Sequence, residues 1–186
     1  DVLPELHKLH DNSPMPLGQS LRGGSQTRGL LFDRTEKAYA ELRKAIHATL
    51  DRYRDQLPKS DGTHPLLRFR DTEWQLAGSW SVRLSSGGDF HTSHIHPQGI
   101  ISSALYCDLP GDFDGADKPG WLELGKPPPD LRLDLPPIRT IKPEQGHLAL
   151  FPSTMYHGTR PFPSGRRMSV AFDVTHKLEP DNVQSA

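Results

Sequence analysis

The chain lacks several features that would each have indicated a class of protein. Its 186 residues include a single cysteine, Cys107, so no internal disulfide can form, which predicts a reducing compartment such as the cytoplasm. We interpret Cys107 as a small apolar residue in a strand rather than a nucleophile. No apolar run approaches the ~18 residues of a membrane-spanning helix, which predicts a soluble globular domain without a membrane partner.

An excess of charge of one sign is also missing. The chain has 22 basic and 23 acidic residues, a formal net charge of −1, and the two signs are mixed along its length. This pattern gives no basic surface for nucleic acid, so we predict no nucleic-acid partner. Internal repeats and a targeting segment are absent too. The chain opens on DVLPELHKLH without an initiating methionine, and we interpret it as a fragment of a longer protein.

Prolines and glycines, 18 and 16 of them, favour many short elements over a helical bundle. Residues 1 to about 30 read as an extended or looped arm. One amphipathic helix follows, with a capping-box-like start at Asp33 and Glu36 and a stop at Pro58. Its apolar residues recur every three or four positions: Ala38, Leu42, Ile46, Leu50 and Tyr53.

From Trp74 onward the pattern changes to short β-type runs separated by turns. These runs are WQLAG, SWSVRL, GIISSALYCDL, GWLELG, HLALF and RMSVAFDV. We therefore predict a single mainly β domain, a sandwich or barrel, with an N-terminal supporting helix. Its predicted parts are an arm and helix over 1–73, a β core over 74–176 and a tail over 177–186.

Three histidines stand within six positions in FHTSHIHPQG. In an extended strand, residues two apart share a face and residues three apart do not, so His94 and His96 pair while His91 points elsewhere. A metal needs at least one further ligand. The best candidate is His157, which follows the buried-type strand HLALF and the turn FPST. This spacing predicts a metal site of His94, His96 and His157.

The last strand, RMSVAFDV, begins with Arg167. By strand alternation Arg167, Ser169, Ala171 and Asp173 share one face. Small residues beside an arginine leave room for a ligand, and a guanidinium with a hydroxyl binds a carboxylate well. We therefore predict a carboxylate-binding role for Arg167 and place Arg166 towards solvent.

Two long stretches resemble the iron(II)- and 2-oxoglutarate-dependent oxygenases. They are SWSVRLSSGGDFHTSHIHPQGIISSALYCDLP and EQGHLALFPSTMYHGTRPFPSGRRMSVAFDV, with GQSLRGGSQT and HPLLRFR upstream. The chain resembles in particular the bacterial prolyl-hydroxylase-like members that often follow tetratricopeptide repeats. The combination is specific: two ligands spaced by one residue, a distal histidine after a strand, and an arginine opening the last strand.

The resemblance implies a double-stranded β-helix, a distorted jelly roll related to the cupins, with Fe(II) bound near one end. It implies an oxygenase, a hydroxylase that uses 2-oxoglutarate and dioxygen, with ascorbate as a supporting reductant. His94 and His157 match the two family histidines, and Arg167 matches the residue that binds the far carboxylate of 2-oxoglutarate. Tyr106 matches a tyrosine at that carboxylate, although it also fits a core aromatic. Ser169 resembles a frequent hydroxyl partner.

One position departs from the wider superfamily, because the usual ligand set is two histidines and a carboxylate. Here His96 stands where that carboxylate is expected. Either His96 coordinates directly, or a distant acid such as Glu123 or Asp108 substitutes, or only two protein ligands exist and water completes the set. We favour direct ligation by His96.

Two other functions are compatible with the sequence. A cupin-type three-histidine dioxygenase would not use 2-oxoglutarate, and Gly88 to His96 fits the first cupin motif, but Ile100 or Ile101 stands where that motif has glutamate. A non-catalytic metal-binding module is the third hypothesis. The resemblance leaves the substrate open, a peptide or protein being suggested, and Trp80, Arg83, Arg22 and the loop from Asp112 to Lys118 are unranked candidates to face it. The sequence does not predict the oligomeric state.

Overall fold

A computed structural model describes residues 1–11, 20–85, 88–111, 115–161 and 164–177. Two α-helices, α1 (Leu3–Asp11) and α2 (Lys37–Gln56), precede most of the strands. Among the described residues, no helix combines the length and apolar character needed to cross a membrane. The predicted tail lies outside these residues from 178 onward, as do positions 112–114 of the predicted loop.

Helix α2 confirms the predicted amphipathic helix with small changes at its start. It buries Tyr39, Ile46 and Leu50 against the sheet, and Leu42 and Tyr53 pack at the border of the same cluster. The predicted capping box does not form: the N-cap is Glu36, no side chain caps the first turn, and a 3₁₀ turn covers Leu31–Asp33. Tertiary packing of the apolar face therefore stabilises this helix more than its cap does.

Antiparallel strands form the rest of the domain. A five-stranded sheet has the order β2-β3-β10-β5-β8, a three-stranded sheet the order β7-β6-β9, and β1 pairs with β4. The ten strands are β1 (Leu21–Arg22), β2 (Ser25–Gln26), β3 (Trp74–Leu84), β4 (Phe90–His91), β5 (Ile101–Asp108), β6 (Leu122–Leu124), β7 (Arg139–Ile141), β8 (Leu148–Pro152), β9 (His157–Thr159) and β10 (Arg167–His176).

Strand β10 lies at the centre of the large sheet, and its alternation divides the core from the site. Met168, Val170, Phe172 and Val174 are fully buried in the main apolar cluster, which the two helices cover. Ser169, Ala171 and Asp173 are only partly buried, as expected for the opposite face of a strand. The predicted runs WQLAG and SWSVRL form one continuous strand, β3.

The prediction of an extended or looped arm over residues 1 to about 30 was wrong for Leu3–Asp11. These residues form a helix, α1, which buries Leu6 and His10, whereas the extended segments β1 and β2 pair with other strands. The His10 ring explains the docking, because its Nδ1 lies 2.8 Å from Ser25 Oγ and its Nε2 lies 2.8 Å from Ser81 Oγ. Arg83 also donates to the His10 carbonyl, at 3.0 Å.

Burial of His10 predicts an acid-sensitive fold. Desolvation lowers the pKa of His10 from 6.5 to about 4. Between those values the unfolded chain binds a proton that the folded chain does not, so stability is lost as the pH falls through this window. We expect His10→Gln to reduce the slope of the unfolding free energy against pH, by the amount that corresponds to about one proton. Urea titrations of metal-free protein between these pH values measure that slope.

A matched control for this prediction is His147→Gln, since His147 is exposed. Its slope should equal that of the wild-type chain. Equal slopes for the His10 variant and the wild type would show that His10 does not contribute to the acid sensitivity.

Candidate metal and cosubstrate site

Three histidine rings come together where two segments of the chain meet. One ring nitrogen each from His94, His96 and His157 lie within 4.8 Å of one another. The ring centroids are 4.2 Å apart for His94 and His157, and 5.1 Å apart for each pair that includes His96. It is the one such group of potential metal ligands within the described part of the chain.

Backbone pairing positions the rings of His94 and His157. His94 and His157 form an isolated antiparallel bridge in which each backbone N–H donates to the other's carbonyl at 3.0 Å. Gly158 makes this approach possible, because a Cβ there would lie 2.9 Å from the His91 carbonyl oxygen. His96 lies beyond the bridge, where its N–H donates to the Ser153 carbonyl at 2.9 Å. The two histidines of the H-x-H pair thus converge without a regular strand.

Hydrogen bonds that the Nδ1 atoms donate orient all three rings. His94 Nδ1 donates to the Thr92 carbonyl at 2.7 Å, and His157 Nδ1 donates to the Met155 carbonyl at 3.0 Å. His96 Nδ1 lies 2.8 Å from both carboxylate oxygens of Asp173. Because these acceptors require the proton on Nδ1, the lone pair of each ring is on Nε2, the tautomer that binds a metal.

The surroundings also keep the rings of His94 and His157 unprotonated. Burial lowers the pKa of His157 to about 3, with the neighbouring His94 adding to the effect, and burial lowers the pKa of His94 as well. Neutral imidazole is the ligand form, so the two nitrogens are available at neutral pH. Neutral nitrogen donors suit Fe, Zn, Cu or Ni, so this ligand set fits an Fe(II) ion.

His91 lies beside the group of three but outside it. Its ring centroid is 6.0 Å from that of His94, and its Nδ1 lies 3.3 Å from Ser20 Oγ. The same hydroxyl lies 3.3 Å from His94 Nε2. Burial lowers the pKa of His91 to about 3. This position agrees with the prediction from strand alternation that His91 does not join His94 and His96.

The two acids considered as substitute ligands are engaged elsewhere. Glu123 pairs with Gly158 across β6 and β9, so it faces away from His157, and it binds Arg160 at 2.7 Å and Lys126 at 3.6 Å. Asp108 lies 3.8 Å from His7 and 3.9 Å from Arg166. Neither carboxylate belongs to the histidine group.

A second cluster lies on the same face of the large sheet. Arg167 is buried, and its guanidinium lies 5.0 Å from the centre of the Tyr106 ring. Ser169 pairs with Tyr106 across β10 and β5, which places the two side chains on one face. Arg167 Nη1 donates to the Gly120 carbonyl at 2.7 Å. The three residues predicted to bind 2-oxoglutarate thus lie together.

Two polar atoms of this cluster lack partners. The Tyr106 hydroxyl and Arg167 Nε are buried without a hydrogen-bond partner among the described residues. Unpaired buried donors are rare in native proteins, and a guanidinium with a hydroxyl is suited to a carboxylate. Burial raises the pKa of Tyr106 and lowers that of Arg167, and the attraction between the two groups opposes both shifts without reversing them. A bound anion would therefore still relieve an unfavourable environment for the arginine. The cluster therefore fits the far carboxylate of 2-oxoglutarate.

Among the candidates to face a substrate, the structure separates Trp80 from Arg83. The Trp80 ring centroid is 5.6 Å from that of His96, so the indole borders the histidine group. Arg83 points to the opposite side of β3, where it binds Asp11 at 2.8 Å and the His10 carbonyl. A cavity of about 400 Å³ is lined by His91 together with Phe90, Ser93, Thr159 and Arg160, among others.

The fold and this site are those of a metal-dependent oxygenase built on a double-stranded β-helix, and sequence comparison identifies the family. Residues 78–173 match the family described as "Putative 2OG-Fe(II) oxygenase", and the chain belongs to this family. Its cofactors are accordingly Fe(II), 2-oxoglutarate and dioxygen. No curated protein matches the sequence significantly.

Solved structures with low sequence identity share the fold. A prolyl-4-hydroxylase from Pseudomonas putida is 15% identical, with a TM-score of 0.60 over 95% of this chain and 85% of its own. A prolyl hydroxylase from Trichoplax adhaerens, bound to a hypoxia-inducible-factor peptide, is 16% identical, with a TM-score of 0.62 over 94% and 76%. HygX from Streptomyces hygroscopicus, with nickel and 2-oxoglutarate bound, is 14% identical, with a TM-score of 0.61 over 99% and 84%. The predicted double-stranded β-helix is confirmed.

Proposed function

We propose that this oxygenase hydroxylates a peptide or protein side chain, with iron held by His94, His96 and His157. Arg167, Tyr106 and Ser169 bind 2-oxoglutarate in this proposal. The observation that carries it is the presence of three histidine ring nitrogens within 4.8 Å of one another, together with two buried donors that lack partners among the described residues. The cupin-type and non-catalytic alternatives account for the first feature and leave the second unexplained.

The bound iron and 2-oxoglutarate supply the oxidising chemistry: dioxygen and 2-oxoglutarate are consumed, succinate and carbon dioxide leave, and one oxygen atom enters a substrate C–H bond. The chain contributes positioning. Three oriented imidazoles fix the metal, and the Arg167 guanidinium fixes the far end of the cosubstrate. Phe151 and Trp80, whose rings lie 4.7 Å from His157 and 5.6 Å from His96, exclude water from two sides of the histidine group.

Two features support a peptide or protein as the substrate class. Structural relatives include prolyl hydroxylases, one of them with a peptide bound. The cavity of about 400 Å³ borders the segments that carry His94 and His157, and it combines Phe90 and several prolines with the charged pair Glu123 and Arg160. A cavity with apolar walls and a few polar groups is suited to a short peptide segment.

The experiment that tests the function measures succinate. Purified protein with Fe(II), ascorbate and 2-oxoglutarate should form succinate, and the rate should rise when peptide fractions of a cell extract are added. Mass spectrometry should then find a peptide that has gained one oxygen atom. Succinate at the background level together with no affinity for iron would exclude the enzyme. Stimulation by a small-molecule fraction alone would exclude the peptide class.

A further inference from the structure

Among the residues that the structure describes, Asp173 is the one charged side chain that hydrogen bonds to a member of the histidine group. It lies on β10, on the same face as Arg167 and Ser169, and both of its carboxylate oxygens are 2.8 Å from His96 Nδ1. Ser102 Oγ donates to Asp173 Oδ1 at 2.7 Å and lies 3.0 Å from Ser153 Oγ. The carboxylate is thus held by a hydroxyl and an imidazole, and these two partners lie 3.3 Å apart.

The regular alternation of β10 places this residue. The register of β10 against β3 shifts just after Asp173, but the extra residue, Ala77, lies on β3. Strand β10 itself pairs with β3 without interruption from Arg167 to Asp173. Asp173 is therefore directed to the site by strand alternation and held there by its hydrogen bonds.

The three histidines differ in what their Nδ1 atoms contact. His94 and His157 donate to neutral backbone carbonyls, and only His96 contacts a carboxylate. His96 is also the residue at the position where oxygenases of this kind usually carry a carboxylate ligand. The ligand set lacks this negative charge, but the Asp173 carboxylate carries one and is hydrogen bonded to His96, the residue at that position.

We propose that Asp173 is a positioning residue that orients His96 and supplies, through the His96 ring, the negative charge that a carboxylate ligand would supply directly. The proposal rests on the proposed ligand set. A carboxylate hydrogen bonded to a ligand imidazole raises the basicity of that ligand and fixes its orientation. Asp173 therefore compensates for the histidine at position 96.

Two substitutions separate orientation from charge. Asp173→Asn retains an oxygen that accepts from His96 Nδ1 but removes the charge, and Asp173→Ala removes both. We expect each variant to weaken Co(II) binding by about 10- to 100-fold, the range found when such outer partners of metal ligands are lost. Co(II) titration of metal-free protein, followed by its visible absorption, gives both the affinity and the ligand environment without any turnover.

Two further variants serve as matched controls. Asp108→Asn neutralises a carboxylate at the end of β5 that contacts His7 and Arg166, and its Co(II) affinity should equal that of the wild type. Ser102→Ala removes a hydroxyl partner of Asp173 and leaves the charge, so its loss should be smaller than that of Asp173→Asn. Wild-type affinity in Asp173→Asn, with loss only in Asp173→Ala, would overturn the charge role.

Moving the carboxylate provides a second test. The double variant His96→Asp with Asp173→Asn places the acid at the ligand position and a neutral amide behind it. We expect its Co(II) affinity to exceed that of Asp173→Asn alone, with a changed absorption spectrum. An affinity no higher than that of Asp173→Asn would contradict the proposal that charge at position 96 is what Asp173 supplies.

These outcomes are separable from a failure of the proposed function. If the wild-type chain binds no Co(II) and forms no succinate, the ligand set itself is wrong. If the wild type does both and Asp173→Asn matches it in affinity and spectrum, the ligand set stands and only the role of Asp173 fails. Thermal unfolding of the metal-free variants checks that each one is folded.

Discussion

Replacing His157 by alanine is expected to abolish metal binding, and with it the formation of succinate. The His157 ring is buried, its Nδ1 donates to the Met155 carbonyl, and its Nε2 is directed to the group of three. Loss of an outer partner of a ligand costs about 10- to 100-fold in metal affinity, so loss of a ligand should cost at least about 100-fold. His94→Ala should behave in the same way, because a ring nitrogen of His94 belongs to the same group of three.

Isothermal titration of metal-free protein with Fe(II) under nitrogen measures this loss directly. Two histidine variants of the same chain are the controls. His147→Ala removes an exposed ring and should leave the affinity unchanged, and His91→Ala removes the neighbour that lies outside the group. A His91 variant should therefore retain most of the affinity. Full Fe(II) affinity in either the His94 or the His157 variant would remove that residue from the ligand set.

Local spacing predicted the members of the histidine group, but the reason for their convergence is not local. Strand alternation grouped His94 with His96, and their ring centroids lie 5.1 Å apart, but no regular strand carries them. Only His94 forms a bridge, and the His96 N–H donates to the Ser153 carbonyl. The bridge joins residues 63 positions apart in the sequence, through the close approach at Gly158. A contact of that kind depends on the whole sheet, so no pattern within one segment could reveal it.

The role of Asp173 shows the same limit of prediction from the sequence. Alternation along RMSVAFDV placed it on the face of Arg167 and Ser169, so a signal was present. Its partner, His96, lies 77 positions away in the sequence, and no pattern within β10 indicates a contact with so distant a residue. Helix α1 was missed for a related reason: it is short, and one of its two buried side chains is a histidine whose partners come from β2 and β3.

Replacing Arg167 by methionine is expected to abolish productive binding of 2-oxoglutarate while leaving the metal site intact. Arg167 is 3% exposed, and its Nε has no hydrogen-bond partner among the described residues. Removing one partner of a buried charge pair costs about 3 kcal/mol, which raises the dissociation constant about 100-fold. Arg167→Lys keeps the charge and loses the planar fork, so its loss should be smaller.

The adjacent arginine provides the matched control for this variant. Arg166 is exposed and lies 3.9 Å from Asp108, so Arg166→Met should bind 2-oxoglutarate like the wild type. Metal affinity should be unchanged in both variants, since neither arginine contacts the histidine rings. Calorimetric titration of the Co(II)-loaded protein with 2-oxoglutarate measures the difference. Wild-type affinity in Arg167→Met would remove Arg167 from the cosubstrate site.

Stability of the free protein offers an independent check on this assignment. A buried guanidinium without an anionic partner is unfavourable, and burial accordingly lowers the pKa of Arg167. In the absence of 2-oxoglutarate, Arg167→Met should therefore unfold at a temperature no lower than the wild type does. Addition of 2-oxoglutarate with Co(II) should raise the unfolding temperature of the wild type only, because a ligand stabilises the state that binds it. If Arg167 only stabilised the fold, the opposite pattern would appear. Arg167→Met would then unfold at a lower temperature than the wild type without ligand, and 2-oxoglutarate with Co(II) would still raise its unfolding temperature.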